Sequence, residues 1–137
     1  MNDATLLALE TDRLMRRIEA QLARRAPAID PAKVGPLGGM ALLTLAEIEP
    51  APTQALTTRM GRDKSQMTRL IHMLETKGML TRTPCERDGR VTILALTPAG
   101  HALLVEIRKL MSEVMTEILE PLDANDRRRL AGILGRL

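Results

Sequence analysis

The spacing of apolar residues predicts helices along most of this chain and a β-hairpin between residues 79 and 96. Apolar positions recur at helical intervals in several stretches. These stretches cover residues 6–25, 37–48, 53–60, 64–77, 98–119 and the residues after Asp123. Only residues 79–83 and 91–96 fit strands. The predicted fold class is therefore mainly α with one small β-hairpin, in the α+β class.

Two short helices joined by a tight turn are predicted between residues 53 and 77. Thr53 is expected to cap the first helix, and Gly61 follows it, where helices often end in a left-handed residue. Asp63 is a good N-cap for the second helix, and Gln66 three residues later completes the pattern of a capping box. The apolar positions of this second helix form one stripe at helical spacing: Met67, Leu70, Ile71 and Leu74.

The opposite face of the second helix is polar. At about 100° per residue, this face and its flanks carry Ser65, Gln66, Thr68, Arg69, His72 and Thr76. Ser, Thr and Gln can donate and accept hydrogen bonds at base edges, and Arg can bind guanine with two hydrogen bonds. The same face also fits an amphipathic helix whose polar side is only solvated. The helix alone leaves both interpretations open.

A basic hairpin is predicted directly after the helix pair. Asp88-Gly89 is a strong signal for the turn between its strands, and Arg87 and Arg90 flank this turn. Both faces of the second strand are apolar, which indicates that it is well covered. A loop tip with two arginines can reach phosphates or a narrow minor groove. A helix pair followed by such a hairpin is the pattern of a winged helix-turn-helix, and it favours DNA over a solvated loop.

Positive charge is concentrated in the same segment. Between residues 59 and 90, eight Lys and Arg stand against four Asp and Glu, which gives +4, while the whole chain carries +3. The rest of the chain therefore has a net charge of −1. A positive excess confined to one region is what an electrostatic footprint on DNA requires.

Two blocks of sequence resemble the MarR family of transcriptional regulators. The first reads D-K-S-Q-M-T-R-L from Asp63, followed by L-E-T-K-G-M-L from Leu74. The second combines Asp88-Gly89-Arg90 with L-T-P-A-G from Leu96. The resemblance is specific over residues 53–101 and only general in the flanking helices. It implies a winged helix-turn-helix with N- and C-terminal dimerisation helices.

The resemblance also implies a function and a set of DNA-contacting residues. It implies a homodimer that binds a pseudo-palindromic operator in double-stranded DNA, as a repressor relieved by a small lipophilic or anionic effector or by oxidation. The residues assigned to the major groove are Lys64, Ser65, Gln66, Thr68 and Arg69. In the wing, Arg90 is expected to enter the minor groove beside Arg87 and Gly89, while Asp88 braces Arg90.

The helices outside this region are assigned to dimerisation. Residues 1–36 are predicted to form an N-terminal dimerisation helix and linker, residues 37–97 the DNA-binding region, and residues 98–137 the C-terminal dimerisation helices, within one compact domain. The apolar band after Pro98 is wider than one small domain needs, although packing within one chain is the alternative. An effector pocket is expected between the DNA-binding region and the dimer helices, with three lining residues: Met40, Leu43 and Leu103.

Composition narrows the range of functions. The chain has no Phe, Tyr or Trp, which removes base stacking and argues against single-stranded nucleic acid or RNA as the ligand. No apolar stretch is long enough for a membrane span, and the N-terminus lacks the pattern of a signal peptide. A cytoplasmic protein without a membrane partner is therefore expected.

Three alternatives compete with a ligand-controlled DNA-binding regulator: an enzyme, a thiol-based redox sensor and a protein-interaction module. No nucleophile–base order, phosphate-binding glycine loop or metal-ligand spacing occurs, so no enzyme, metal or cofactor is predicted. Cys85 is the only cysteine, and Arg82 and Arg87 nearby favour a reactive thiolate. A thiol-based redox sensor therefore stays an alternative, although an inert thiol is favoured. The other alternative is a winged-helix protein-interaction module without specific DNA binding.

Overall fold

The computed structural model describes all 137 residues and contains six α-helices and a small antiparallel sheet. The helices are α1 Asp3–Arg25, α2 Gly35–Ile48, α3 Thr53–Met60, α4 Lys64–Thr76, α5 Pro98–Ile118 and α6 Ala124–Leu134, with a 3₁₀ turn at Ala26–Ile29. The strands are β1 Ala51–Pro52, β2 Leu80–Pro84 and β3 Thr92–Leu96. The predicted class, mainly α with a small β-hairpin, is confirmed.

The chain divides into two compact units. The first contains residues 26–108, with α2 to α4, the sheet and the beginning of α5, and the second contains residues 1–25 and 109–137. The boundaries predicted after residues 36 and 97 separate proposed functions rather than compact units, and they stay predictions. None of the helices is both long enough and apolar enough to cross a membrane.

An aliphatic core fills the unit of residues 26–108. The whole apolar stripe predicted for α4 is buried in it: Met67, Leu70, Ile71 and Leu74. Other side chains of this core that are at most 1% exposed are Ala41, Leu42, Leu45, Leu56, Leu94 and Leu104. Burial of one full face therefore fixes the rotation of α4 about its own axis, and its opposite face is left at the surface.

The sheet has a third strand that the sequence analysis missed. β1 pairs with one edge of β3, with Ala51 opposite Leu94, and β2 pairs with the other edge, with Leu80 opposite Leu96. The central position of β3 explains why both of its faces are apolar. β1 has only two residues, and one of them is Pro52, which is suited to an edge strand. A strand this short carries no alternation that a sequence pattern could reveal.

The ends of α4 follow local rules. Asp63 caps its first turn, since the Asp63 Oδ1 accepts a hydrogen bond from the Gln66 N–H at 2.8 Å. Gly78 follows the helix with φ 74°. The Met79 N–H then donates to the Leu74 carbonyl at 2.9 Å, which closes a Schellman motif between two buried side chains. These ends were predicted from the sequence.

Two details of the predicted helix caps were wrong. Thr53 does not cap α3; the N-cap is Pro52, which has extended backbone as part of β1, and Thr53 is the first helical residue. The capping box of α4 is only half formed, because Asp63 accepts its hydrogen bond while the Gln66 side chain makes none in return. The Gln66 amide group is consequently free.

The start of α5 is tied to the end of α4. The Thr97 Oγ1 accepts from the Gly100 N–H at 3.0 Å and donates to the Gly78 carbonyl, so Thr97 is the predicted cap. The Thr97 N–H also donates to the Met79 carbonyl at 3.1 Å. A Cβ on Gly100 would lie 2.1 Å from that carbonyl oxygen, so α5 approaches the residue before β2 closely enough to require glycine there.

The unit of residues 1–25 and 109–137 leaves much apolar surface exposed. Three residues of α5 are buried in it, namely Leu110, Val114 and Ile118, whereas α1 and α6 contain no buried residue. A salt bridge joins Arg25 of α1 to Glu117 of α5. The large apolar side chains that stay exposed after the first residue are Leu6, Leu7, Leu9, Met15, Met111, Ile133, Leu134 and Leu137.

Candidate nucleic-acid interface

The polar face of α4 is fully presented at the surface. All five residues predicted to enter a groove are exposed: Lys64, Ser65, Gln66, Thr68 and Arg69. They occupy the first half of the 13-residue helix and lie opposite its buried stripe. The structure therefore brings the predicted residues together on one helix, whose opposite face packs against the core.

Most of these side chains have unused hydrogen-bonding capacity. The side chains of Lys64, Ser65, Gln66 and Arg69 make no hydrogen bond within the chain. Thr68 differs, because its Oγ1 donates to the Lys64 carbonyl at 2.8 Å and so keeps only its acceptor lone pairs for a ligand. The face thus offers an amide, a hydroxyl and two cations as free donors.

The wing loop closes through a turn that differs from the predicted one. The Cys85 N–H donates to the Val91 carbonyl at 2.8 Å, and the Val91 N–H donates to the Asp88 carbonyl at 3.0 Å. Gly89 and Arg90 are therefore the central residues of the turn, where Asp88-Gly89 had been expected. Gly89 does not adopt a positive φ, so the left-handed Asp-Gly turn is absent.

Asp88 organises this turn from its first position. Its Oδ1 accepts a hydrogen bond from the Arg90 N–H at 3.1 Å, as Asp side chains do two residues before the donor. The same oxygen accepts from the Arg90 Nε at 3.2 Å. The Arg90 side chain is 93% exposed, so this salt bridge contributes little to stability. The salt bridge joins the guanidinium to Asp88 and leaves it exposed, and the role of Asp88 as a brace for DNA binding stays a prediction.

The eight basic residues between 59 and 90 fall into two groups. Four have partners within the chain: Arg59 with Glu47 at 3.2 Å, Arg82 with Glu75 at 3.8 Å, Arg90 with Asp88 at 3.2 Å, and Lys77 with the Ala32 and Lys33 carbonyls. The other four form neither a salt bridge nor a side-chain hydrogen bond: Arg62, Lys64, Arg69 and Arg87. Counting charges along the sequence had treated all eight alike.

Arg62 is the free cation that the sequence analysis did not select. It lies in the turn between α3 and α4, and it is exposed. Its position directly before the Asp63 cap was visible in the sequence, but the amphipathic pattern of α4 begins only after that cap. The periodicity of α4 therefore does not include Arg62.

The remaining predicted positions are dispersed. Cys85 is a half-buried free thiol in the wing. Met40 on α2 is 51% exposed, whereas Leu43 and Leu103 are half-buried and pack against the core. The role of these three residues in an effector pocket stays a prediction. No group of three or more His, Cys, Asp and Glu side chains is arranged to hold a metal ion.

Comparison with known proteins gives similarity at the level of sequence family and of fold. Residues 39–92 match the model of the MarR family. A curated relative, the uncharacterized HTH-type transcriptional regulator YdgJ of Bacillus subtilis, is 32% identical over 82 residues, which is 60% of this chain. That alignment spans only 50% of the relative's length. The matched region contains the whole proposed interface on α4.

Solved structures extend the likeness in fold beyond that region. The crystal structure of MarR has a TM-score of 0.81 at 18% identity and covers 99% of this chain and 88% of its own. A mutant MarR from E. coli complexed with operator DNA has a TM-score of 0.71 at 19% identity and covers 98% of both chains. At such low identity these likenesses concern the fold alone.

Proposed function

We propose, from the match of residues 39–92 to the MarR family model and from the exposed face of α4, that this protein is a transcriptional regulator that binds specific sequences in double-stranded DNA. The major groove is contacted by the polar face of α4: Lys64, Ser65, Gln66, Thr68 and Arg69. The wing contacts the adjacent minor groove through Arg90, with Arg87 and Gly89 near the backbone and Asp88 as a brace. A mutant MarR from E. coli of similar fold was solved in a complex with operator DNA, which supports double-stranded DNA as the ligand.

One observation carries the proposal. α4 buries a complete apolar face while its other face presents side chains that have no partner in the chain, including Gln66 and Arg69. Two of these side chains are the unpaired cations Lys64 and Arg69, which lie on the same exposed face as Ser65, Gln66 and Thr68, whereas the nearby Arg59 and Arg82 form salt bridges. Gln and Arg are residues that discriminate adenine and guanine through paired hydrogen bonds in the major groove.

A homodimer is part of the proposal. α1 and α6 bury no residue within the chain and expose large apolar side chains such as Leu7 and Leu134. Exposed apolar surface of this kind marks an interaction site. A second copy of the chain is the occupant that a pseudo-palindromic operator requires, because twofold symmetry of the protein then matches that of the DNA.

Repression controlled by a small effector completes the proposal. A ligand changes DNA affinity only if it binds one arrangement of the two DNA-binding regions better than another. Met40 is exposed on α2, and Leu43 on the same helix is half-buried. Leu103 lies in the first turns of α5 and is also half-buried. These apolar residues, without any aromatic ring, fit a small lipophilic molecule or the carbon skeleton of an anionic one.

Selection of DNA from a random pool of duplexes tests the function. The purified protein is expected to enrich a pseudo-palindromic sequence, to protect it in footprinting, and to release it as salt is raised. If the protein retained random DNA without enriching any sequence, it would be a nonspecific DNA-binding protein. No retention at all would favour the protein-interaction module, and the operator-directed role would then be wrong.

A further inference from the structure

Arg62 has no structural partner that accounts for its charge. Gly61 before it has φ 64° and ends α3, and Asp63 after it caps α4. Arg62 is exposed, forms no salt bridge and donates no side-chain hydrogen bond. The fold therefore uses its backbone in the turn but leaves its guanidinium free.

Arg59 shows what a structural arginine in the same region looks like. It lies three residues earlier, in the last turn of α3, and its Nη1 lies 3.2 Å from the Glu47 Oε2 of α2. That salt bridge gives Arg59 a carboxylate partner and joins α3 to α2. Both arginines are exposed at the surface, so the difference between them is the presence of a partner rather than burial.

The carboxylate nearest to Arg62 in sequence is engaged elsewhere. The Asp63 Oδ1 accepts the Gln66 N–H at 2.8 Å, at the positive end of the α4 dipole. Asp63 therefore stabilises the helix terminus and forms no salt bridge with Arg62. The five N–H donors of the Arg62 guanidinium therefore stay free for an external anion.

The position of Arg62 relative to α4 indicates which anion it meets. Arg62 comes two residues before Lys64, the first residue of the helix. When the N-terminal half of a recognition helix points at base edges, a residue just outside that end lies at the border of the groove. The border of the groove is formed by phosphates, and contacts to phosphates position a protein without reading sequence.

We propose that Arg62 binds a DNA phosphate and positions α4 in the groove, without contributing to base discrimination. The inference rests on the proposed function and adds a contact outside both α4 and the wing. A guanidinium can donate two parallel hydrogen bonds to phosphate oxygens. Each neutralised phosphate releases counterions and adds about 0.9 to the slope of log affinity against log salt concentration.

Matched charge removals at Arg62 and Arg59 test the assignment. Arg62→Gln and Arg59→Gln change the net charge equally and lie three residues apart, so only the local contact differs. Each protein is titrated with the duplex selected by the wild type and with a mixed-sequence duplex. Arg62→Gln lowers the salt slope on both by about 0.9 for each bound chain, or about 1.8 for a dimer. Between about 50 and 200 mM salt, the Arg62→Gln protein therefore loses about three- to fourfold less affinity than the wild type for each bound chain.

The controls separate a phosphate contact from other roles. Arg59→Gln keeps the wild-type slope, and Arg62→Lys restores most of it, since an ammonium also binds phosphate. All variants retain the wild-type melting temperature because neither side chain is buried. The preference for the selected duplex over mixed sequence is unchanged in Arg62→Gln.

Three results contradict the assignment or its premise. Equal slopes in Arg62→Gln and Arg59→Gln would make Arg62 a solvated surface arginine. A loss confined to the selected duplex would make it a base contact, which also overturns the proposal. If the wild type itself bound neither duplex in a salt-dependent way, the proposed function would fail, and the assignment of Arg62 would fail with it.

Discussion

α1 and α4 are both amphipathic helices, yet the chain covers only one of them. α4 buries its entire apolar stripe under the core of residues 26–108 and exposes a polar face. α1 is longer, at 23 residues, but it buries no residue, and the leucines and the methionine on its exposed apolar positions are 49–65% accessible. An amphipathic pattern therefore predicts that the apolar face of a helix will be buried. It does not predict whether the same chain or a second chain buries it.

The largest expected effect is destabilisation of the unit of residues 26–108, whose core buries the apolar face of α4. Gly100→Ala places a Cβ 2.1 Å from the Met79 carbonyl oxygen, and backbone on both sides must move. The free energy of unfolding is expected to fall by about 3 kcal/mol, the upper end of the usual cost of overpacking, measured by urea denaturation. Gly39→Ala is the control: its Cβ meets only the Ile107 Cδ1 at 3.6 Å, and a helical alanine adds up to about 1 kcal/mol. Equal effects would show that α5 does not approach the residue before β2 this closely.

The next prediction tests whether a second copy of the chain buries the exposed apolar side chains of α1 and α6. Leu7 and Leu134 are 65% and 57% exposed, and the double variant Leu7→Glu with Leu134→Glu places charge in the proposed dimer interface. The dissociation constant is expected to rise about 30-fold or more, as for loss of interface hot spots, measured by sedimentation at micromolar concentration. Met40→Glu is the control, because Met40 is 51% exposed on α2 and lies outside both predicted dimerisation segments. A wild-type protein that is monomeric, or a double variant that dimerises normally, would contradict the homodimer.

A smaller effect is expected on the polar face of α4. Arg69→Ala and Gln66→Ala should each weaken binding to the selected duplex by about 1–3 kcal/mol, because each removes a free group that is proposed to contact a base or phosphate. The melting temperature should stay near the wild-type value, since neither side chain is buried or bonded within the chain. Arg82→Ala, which removes an arginine paired with Glu75, is the control. Wild-type affinity in both α4 variants would exclude this helix from the groove.

The wing should show coupling between two side chains. Arg90→Ala reduces DNA affinity directly, and Asp88→Ala reduces it because Asp88 holds both the N–H and the guanidinium of Arg90. The double variant is expected to lose less than the sum, with a coupling energy of at least about 0.5 kcal/mol. The same cycle with Arg87, which has no acidic partner, should give a smaller coupling. Additive losses for Asp88 and Arg90 would remove the bracing role.

The smallest effect is expected at the wing thiol. Cys85→Ser should leave DNA affinity and its response to peroxide unchanged, because regulation is proposed to occur through a bound effector. Gel-shift titration before and after peroxide treatment measures this. Release of the wild type by peroxide, with Cys85→Ser staying bound, would identify the thiol as the sensor and favour the redox-sensing alternative.

Features that depend on neighbours within one helical turn were predicted from the sequence. The Asp63 cap, the glycines after α3 and α4, the buried stripe of α4 and the Thr97 cap are all confirmed. Each involves groups three to five residues apart, so propensity and spacing determine them. The predicted turn at Asp88-Gly89 failed despite being local, because the Asp88 side chain stabilises a competing turn one residue further along.

By itself, the sequence determined which helices form, which face of α4 is apolar, and where positive charge is concentrated. Only the tertiary structure decided which of those charges are available to a ligand. Arg59 meets Glu47 twelve residues away, and Lys77 meets the Ala32 carbonyl 45 residues away, whereas Arg62 and Arg69 meet no partner. The tertiary structure also created β1 and the close contact at Gly100. The physical reason is range: caps and periodicity arise between adjacent turns of the chain, while pairing and close approach depend on segments that only folding brings together.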